Sequence, residues 1–252
     1  MRSEKLQTAA VAAALALSAG LLASAAQGSV VYLDPNFGVN ISDPETNIRY
    51  RMSGTNWDQM IAVDSNVSTS TIASQANLGN NSALNGRLFN FEIAYTAGSG
   101  FAFRIFDNAL SSTIGWTAPV SGESPTRAFN AMKIYVQAGP SFGTGVTQAQ
   151  AEALNFSFSA SGLTNVGSLR DLSRAWNGAD QGLDLQYLYS TADLSQVDWR
   201  LAGQLRLSYT GPSNANIDER VKFNIKLGQG VPTPGAVTAL ALAGLVATRR
   251  RR

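Results

Sequence analysis

The run "WRLAGQLRLSYTG", residues 199–211, alternates apolar and polar side chains with a period of two. Trp199, Leu201, Leu205, Leu207 and Tyr209 fall on one side, and Arg200, Gln204, Arg206 and Ser208 on the other. A strand sends successive side chains to opposite faces, so this pattern gives it one dry and one wet face; a helix would scatter it around its circumference. "RVKFNIKLG" repeats the pattern, with Val221, Phe223, Ile225 and Leu227 against Arg220, Lys222, Asn224 and Lys226. Between the two runs, "GPSNANIDE" is rich in turn formers. The pair is expected to form an antiparallel hairpin, with Lys222 and Lys226 as outward lysines that discourage edge pairing.

A second hairpin is expected in "RLFNFEIAYTAGSGFAFRIFDN", around Gly98-Ser99-Gly100. Pairing Ala97 with Phe101 sets Tyr95 opposite Phe103, Ile93 opposite Ile105 and Phe91 opposite Asp107, and puts Glu92 diagonal to Arg104. A slip of one residue would set aromatic against charged side chains. Further strands are expected in "VVYLD", "IRYRM", "WDQMIAVD", "TIGWTAPV", "AMKIYVQAG", "LNFSFSASG" and "LQYLYST". Only "TQAQAEAL", residues 147–154, has a helical composition. About ten or eleven short strands joined by Gly/Asn/Ser-rich connections predict an all-β body over residues 26–230. The expected architecture is a single antiparallel β-sandwich of jelly-roll or Greek-key type.

Composition closes off much chemistry. The chain has no Cys and no His, so a disulfide framework, a zinc knuckle, a catalytic thiol and the commonest general base are excluded. No cofactor and no metal are expected. Of the 19 basic residues, six (Arg2, Lys5 and Arg249–Arg252) lie in the terminal segments, with only Glu4 of the 17 acidic ones. The body is therefore net acidic, which argues against nucleic acid as a partner.

A glycosidase needs two carboxylates across a cleft, and no pair stands out among Glu45, Glu92, Glu123, Glu152 and Glu219. Serine catalysis without His would need a Ser–Lys or similar arrangement, and the body holds no S-x-x-K. Two loops are rich in oxygen ligands, one with Asp34, Asn36 and Asp43 and one with Asn177, Asp180 and Asp184. Neither has the spacing of a calcium loop, and Asp and Asn in loops more often bond their own backbone. Among the tryptophans, Trp199 is in phase with the core, and Trp57 and Trp116 are undecided. Trp176, in the loop "SRAWNGADQG", is the best candidate for an exposed ligand platform.

Both ends read as targeting segments. "MRSEKLQ" supplies Arg2 and Lys5 ahead of the apolar "TAAVAAALALSAGLLA", and "ASAAQG" offers small residues to signal peptidase. Residues 1–25 are expected to be a removed signal peptide in helical form, cut after Ala25, with Ala26 or Gly28 as near alternatives. The chain ends in "VPTPGAVTALALAGLVATRRRR", residues 231–252. As a basic arm or a buried core segment, this stretch leaves either its apolar run or its arginines without purpose. As a membrane helix, the 18 residues from Val231 to Thr248 reach about 27 Å against a hydrocarbon core of about 30 Å. Arg249, Arg250, Arg251 and Arg252 then form a cytoplasmic stop, with the body outside.

Val231, Pro232, Thr233, Pro234 and Gly235, the apolar run and the terminal arginines together resemble the PEP-CTERM sorting signal of exported bacterial proteins. The family pattern has Glu between the prolines, where this chain has Thr233. The resemblance covers the tail alone and implies sorting by an exosortase-type membrane enzyme acting near the Pro-x-Pro motif. It also implies a location in the cell envelope or the exopolysaccharide matrix. The expectation is a non-enzymatic surface or matrix protein with signal peptidase, the sorting enzyme and exopolysaccharide as partners. The alternative is a secreted carbohydrate-binding module or polysaccharide-active enzyme.

Overall fold

A computed structural model of the chain describes residues 30–34, 39–41, 45–53, 56–65, 72–77, 85–107, 112–113, 120–122, 125–139, 145–178, 182–212 and 220–232. Both expected terminal helices, and most of "TIGWTAPV" with Trp116, lie outside the described residues.

Among the described residues, seventeen strands follow in chain order: β1 (Val30–Asp34), β2 (Val39–Ile41), β3 (Glu45–Ser53), β4 (Asn56–Ser65), β5 (Ile72–Asn77), β6 (Phe89–Thr96), β7 (Gly100–Asp107), β8 (Ser112–Thr113) and β9 (Val120–Gly122). They continue with β10 (Ala131–Ala138), β11 (Gln148–Ala160), β12 (Thr164–Gly167), β13 (Leu172–Trp176), β14 (Gly182–Ser190), β15 (Trp199–Thr210), β16 (Lys222–Gly228) and β17 (Gly230–Pro232). A 3-10 turn, Leu194–Gln196, is capped by Asp193, whose carboxylate accepts from the Ser195 N–H. The count exceeds the sequence expectation because several strands are only two to four residues long.

The strands form an eight-stranded sheet in the order β12-β1-β14-β10-β16-β3-β4-β5 and a seven-stranded sheet in the order β13-β11-β15-β6-β7-β8, with β9 also on β7. Pairing is antiparallel except between β1 and β12, which run parallel. The apolar faces of the two sheets share one core. Ile48, Tyr50, Ile61, Phe223 and Ile225 come from the first, and Phe89, Phe91, Ile93, Phe103, Leu201 and Leu205 from the second. Phe91 meets Phe223 across the layers with ring centroids 5.0 Å apart. Trp199 is buried as expected, stacked on Tyr95 at 5.7 Å and edge-on to Phe101 and Phe129. Aromatic pairs in these geometries add to the burial that holds the layers together.

Three sequence expectations need correction. First, β15 and β16 are not a hairpin: β15 pairs with β11 and β6, and β16 with β10 and β3, in opposite sheets. Both apolar faces do point to the core, but alternation is the same whether two strands pair edge to edge or face each other across it. Lys222 and Lys226 consequently sit on a central strand, so they guard no edge.

Second, the β6–β7 hairpin is paired two residues away from the expected register. Tyr95 lies opposite Phe101, Ile93 opposite Phe103 and Phe91 opposite Ile105. A shift of two preserves every side chain's face, so the apolar pattern does not distinguish the two registers. The turn decides: the Ser99 N–H donates to Thr96 O at 2.9 Å, and Gly98 takes φ +74° at the bend. Asp198 Oδ1 also accepts from the Ala97 N–H at 2.9 Å, tying this turn to the start of β15.

Third, residues 148–154 are strand, part of β11. Ala149, Ala151 and Ala153 point to the core, while Gln148, Gln150 and Glu152 point away. The period of two outweighs the helical propensity of these residue types, because β11 is paired on both sides.

Candidate functional site: the two outer faces and the exit of the terminal segment

The outer face of the seven-stranded sheet is a lattice of satisfied ion pairs. Glu92 stands directly opposite Arg104 and binds it at 3.0 Å; its other oxygen takes Arg200, which is diagonal across β15. Glu152 stands opposite Arg206 and accepts from its Nε at 2.5 Å, from Gln150 Nε2 at 2.7 Å and from Ser173 Oγ at 3.5 Å. The remaining described carboxylates are engaged too. Asp184 holds Arg170 and the Ser173 N–H, Asp171 the Asn155 N–H, Asp193 the Ser195 N–H and Oγ, and Asp198 the Ala97 N–H. Arg170 donates at 3.0 Å to one Asp184 oxygen. Burial alone would raise the Asp184 pKa, but these hydrogen bonds outweigh it and hold the carboxyl below the usual range. The same pairing raises the Arg170 pKa.

Asp184 therefore belongs to strand β14 and to an arginine. Of its expected neighbours, Asn177 is exposed and Asp180 lies outside the described residues, as do Asn36, Asp43 and the side chain of Asp34. Among the described residues, no group of three or more carboxylates gathers.

Trp176 ends strand β13 opposite Ala149, so it does not stand in a loop. Its ring is half-buried and packs against the core. A shallow depression beside it is lined by Gln148, Gln150, Asn177, Ser208 and Thr210. The side chain of Trp57 lies outside the described residues.

The outer face of the eight-stranded sheet is different in kind. Arg51 lies opposite both Lys222 on β16 and Asp58 on β4, and Arg49 lies opposite Asn224. On the other side of β16, Lys222 faces Gln137, Asn224 faces Tyr135 and Lys226 faces Lys133. Arg51 Nε donates to both oxygens of Asp58, at 2.9 and 3.2 Å, in a buried pair. Asn224 Nδ2 donates to Tyr135 Oη at 2.9 Å. Burial, helped by Arg49, Arg51, Arg220 and Lys226, pulls the Lys222 ammonium down to about 8. Arg49 is lowered to about 10 for the same reasons, burial first and Arg51 second. Outward lysines and alternating strands are legible in sequence; the gathering of β3, β10 and β16 side by side is not, so sequence reading missed this cluster.

The terminal segment leaves from this same side. β17 pairs with β2, Val231 opposite Asn40 and Pro232 opposite Val39. The little sheet is held by the Gly230 N–H, which donates to Asn130 Oδ1 at 2.7 Å, and by Ile41, which packs with Tyr187 and Tyr189 around Ala131. β17 therefore runs across the expected boundary at 230. Val231 remains 69% exposed, and Pro232, which has no N–H to give a ladder, is the last residue of the strand. Thr233, Pro234, Gly235, Arg249, Arg250, Arg251 and Arg252 lie outside the described residues, as do Ala25 and Ala26. Among the described residues, no helix is long and apolar enough to cross a membrane.

No protein-family model matches the chain, and no curated protein matches it.

Proposed function

We propose that the chain is the precursor of an exported, non-enzymatic surface or matrix protein, sorted through its last 22 residues. The observation that carries this reading is the order of parts at the C-terminus: Pro232-Thr233-Pro234, an apolar run and four arginines. Signal peptidase removes residues 1–25, the apolar run holds the precursor in the membrane, and an exosortase-type enzyme acts near the prolines. The exposed Val231, next to the first proline of the motif, supports it, since a processing enzyme needs an accessible stretch of chain. The body is a Greek-key-like sandwich in this reading. In each sheet a three-strand meander (β3-β4-β5, β6-β7-β8) has a later strand, β16 or β15, laid beside its first member. The arginine-held Glu92 and Glu152 weigh against a polysaccharide-active enzyme, which needs carboxylates free to take and give protons.

Intact mass of the native protein combined with cell fractionation tests the reading. The expected product lacks the N-terminal segment and "TRRRR" and is found with the envelope or the extracellular matrix. A soluble periplasmic product that keeps "TRRRR" overturns it.

A further inference from the structure

The outer side of β15 carries Arg200, Ala202, Gln204 and Arg206 in turn, so one short side chain stands among long ones. Ala202, with Gly203 after it, floors a depression of about 380 Å³ on the outer face of the seven-stranded sheet. Three amides line it as a chain: Asn155 Nδ2 donates to Gln204 Oε1 at 2.7 Å, and Gln204 Nε2 to Asn90 Oδ1 at 3.4 Å. The bulge in β11 puts Asn155 there, with φ +53° and its N–H held by Asp171 at 2.7 Å. Among the described residues, these bonds leave Asn155 Oδ1 and one Gln204 N–H unused. Phe106, opposite Asn90 on β7, turns a partly buried aromatic ring to this outer face, with the Arg104 guanidinium 5.0 Å from its centre. The charges nearby neutralise one another: Glu92 holds Arg104 and Arg200, and Glu152 holds Arg206. The depression therefore offers an apolar wall and neutral donors and acceptors, the chemistry that suits an uncharged, hydroxyl-rich ring. Two further depressions follow the outer side of β15, one beside Gln148 and Ser208 and one beside Ser159 and Arg200.

We propose that a neutral polysaccharide chain lies along the outer side of β15, with one sugar unit seated in the central depression. The C–H face of that sugar packs on Phe106, one hydroxyl donates to Asn155 Oδ1, and another accepts from Gln204 Nε2. The flanking depressions extend the track along the 12 residues of β15, about 40 Å of strand, which fits a polymer better than a free sugar. An anionic polymer would meet arginines already bound to Glu92 and Glu152. The inference rests on the exported matrix reading for its choice of ligand source.

Titration calorimetry of the purified protein with hydroxyethylcellulose, galactomannan and arabinoxylan tests the site. At least one of these neutral polymers should bind, with the same affinity at about 0.1 M and about 1 M salt, because no ion pair to the ligand is involved. Asn155→Gly keeps a residue suited to positive φ and removes the amide, and should weaken binding about tenfold. Ala202→Gln fills the floor of the depression and should weaken it at least as much, about tenfold. Lys133→Gln, on the opposite outer face, should bind as the unaltered protein does. Failure to bind all three polymers, loss of binding at high salt, or full affinity in either the Asn155→Gly or the Ala202→Gln variant overturns the assignment. A product trimmed at both ends that binds none of the polymers sinks this site alone, whereas an untrimmed product that binds one sinks the sorting reading alone.

Discussion

Gly203 lies directly opposite Phe91 in the β15–β6 ladder, and the missing side chain is what lets the phenylalanine ring lie over the strand. A Cβ on Gly203 would stand 2.7 Å from the Phe91 ring and 2.8 Å from the Leu154 carbonyl oxygen. That carbonyl borders the bulge in β11, where Asn155 takes φ +53°. Gly203→Ala should therefore cost about 1–3 kcal/mol through overpacking, read as a lower denaturation midpoint with unchanged slope. An unchanged midpoint would mean that the ring and the bulge adjust freely.

Gln59 has both amide atoms enclosed in the core without a hydrogen-bond partner, beside Tyr50 on the neighbouring strand. Gln59→Met keeps the volume and removes the unmet polar groups, so it should stabilise the fold by about 1–3 kcal/mol. A fall in midpoint would show that the amide makes contacts of value in solution.

The buried Arg51–Asp58 pair and the half-exposed Arg104–Glu92 pair should respond differently to loss of the carboxylate. Asp58→Asn removes the carboxylate from a buried ion pair and should cost about 3–5 kcal/mol. Glu92→Gln should cost about 1 kcal/mol or less, because solvent screens its partners. Similar losses in the two variants would contradict the difference in burial.

Lys222 ionises near 8 in the folded protein, below the ordinary lysine value of 10.5. Between those values the unfolded chain binds more protons than the folded one, so stability rises as pH increases from about 8 towards 10. The gain should be on the order of 1–3 kcal/mol and should vanish in Lys222→Met. Tyr50 acts in the opposite sense above about pH 10, because burial raises its pKa and the folded state keeps a proton that the unfolded chain gives up. Denaturation midpoints at pH 7.5 and 9.5 check the sign, and a fall between them refutes it.

Much of the fold is legible one strand at a time. The alternations in residues 199–209 and 221–227 assign each side chain to core or surface, and Trp199, Leu205, Phe223 and Ile225 are buried accordingly. The ion pair of Glu92 with Arg104 also follows from sequence, although the real register sets the two directly opposite. Arg200 as the second partner of Glu92 could not be read, since it arrives from β15, more than a hundred residues later.

The amino-acid order by itself determined the all-β class and the faces of β6, β7, β15 and β16, because each depends on local periodicity. Tertiary structure decided which strands became neighbours. Alternation with period two is unchanged by a two-residue slip, as at Tyr95 and Phe101, and by moving a strand to the opposite sheet, as with β15 and β16. Turn geometry and the packing of one sheet on the other remove that degeneracy. In doing so they bring Arg49, Arg51, Lys222 and Asn224 from distant stretches of chain onto one face, an arrangement no single stretch contains.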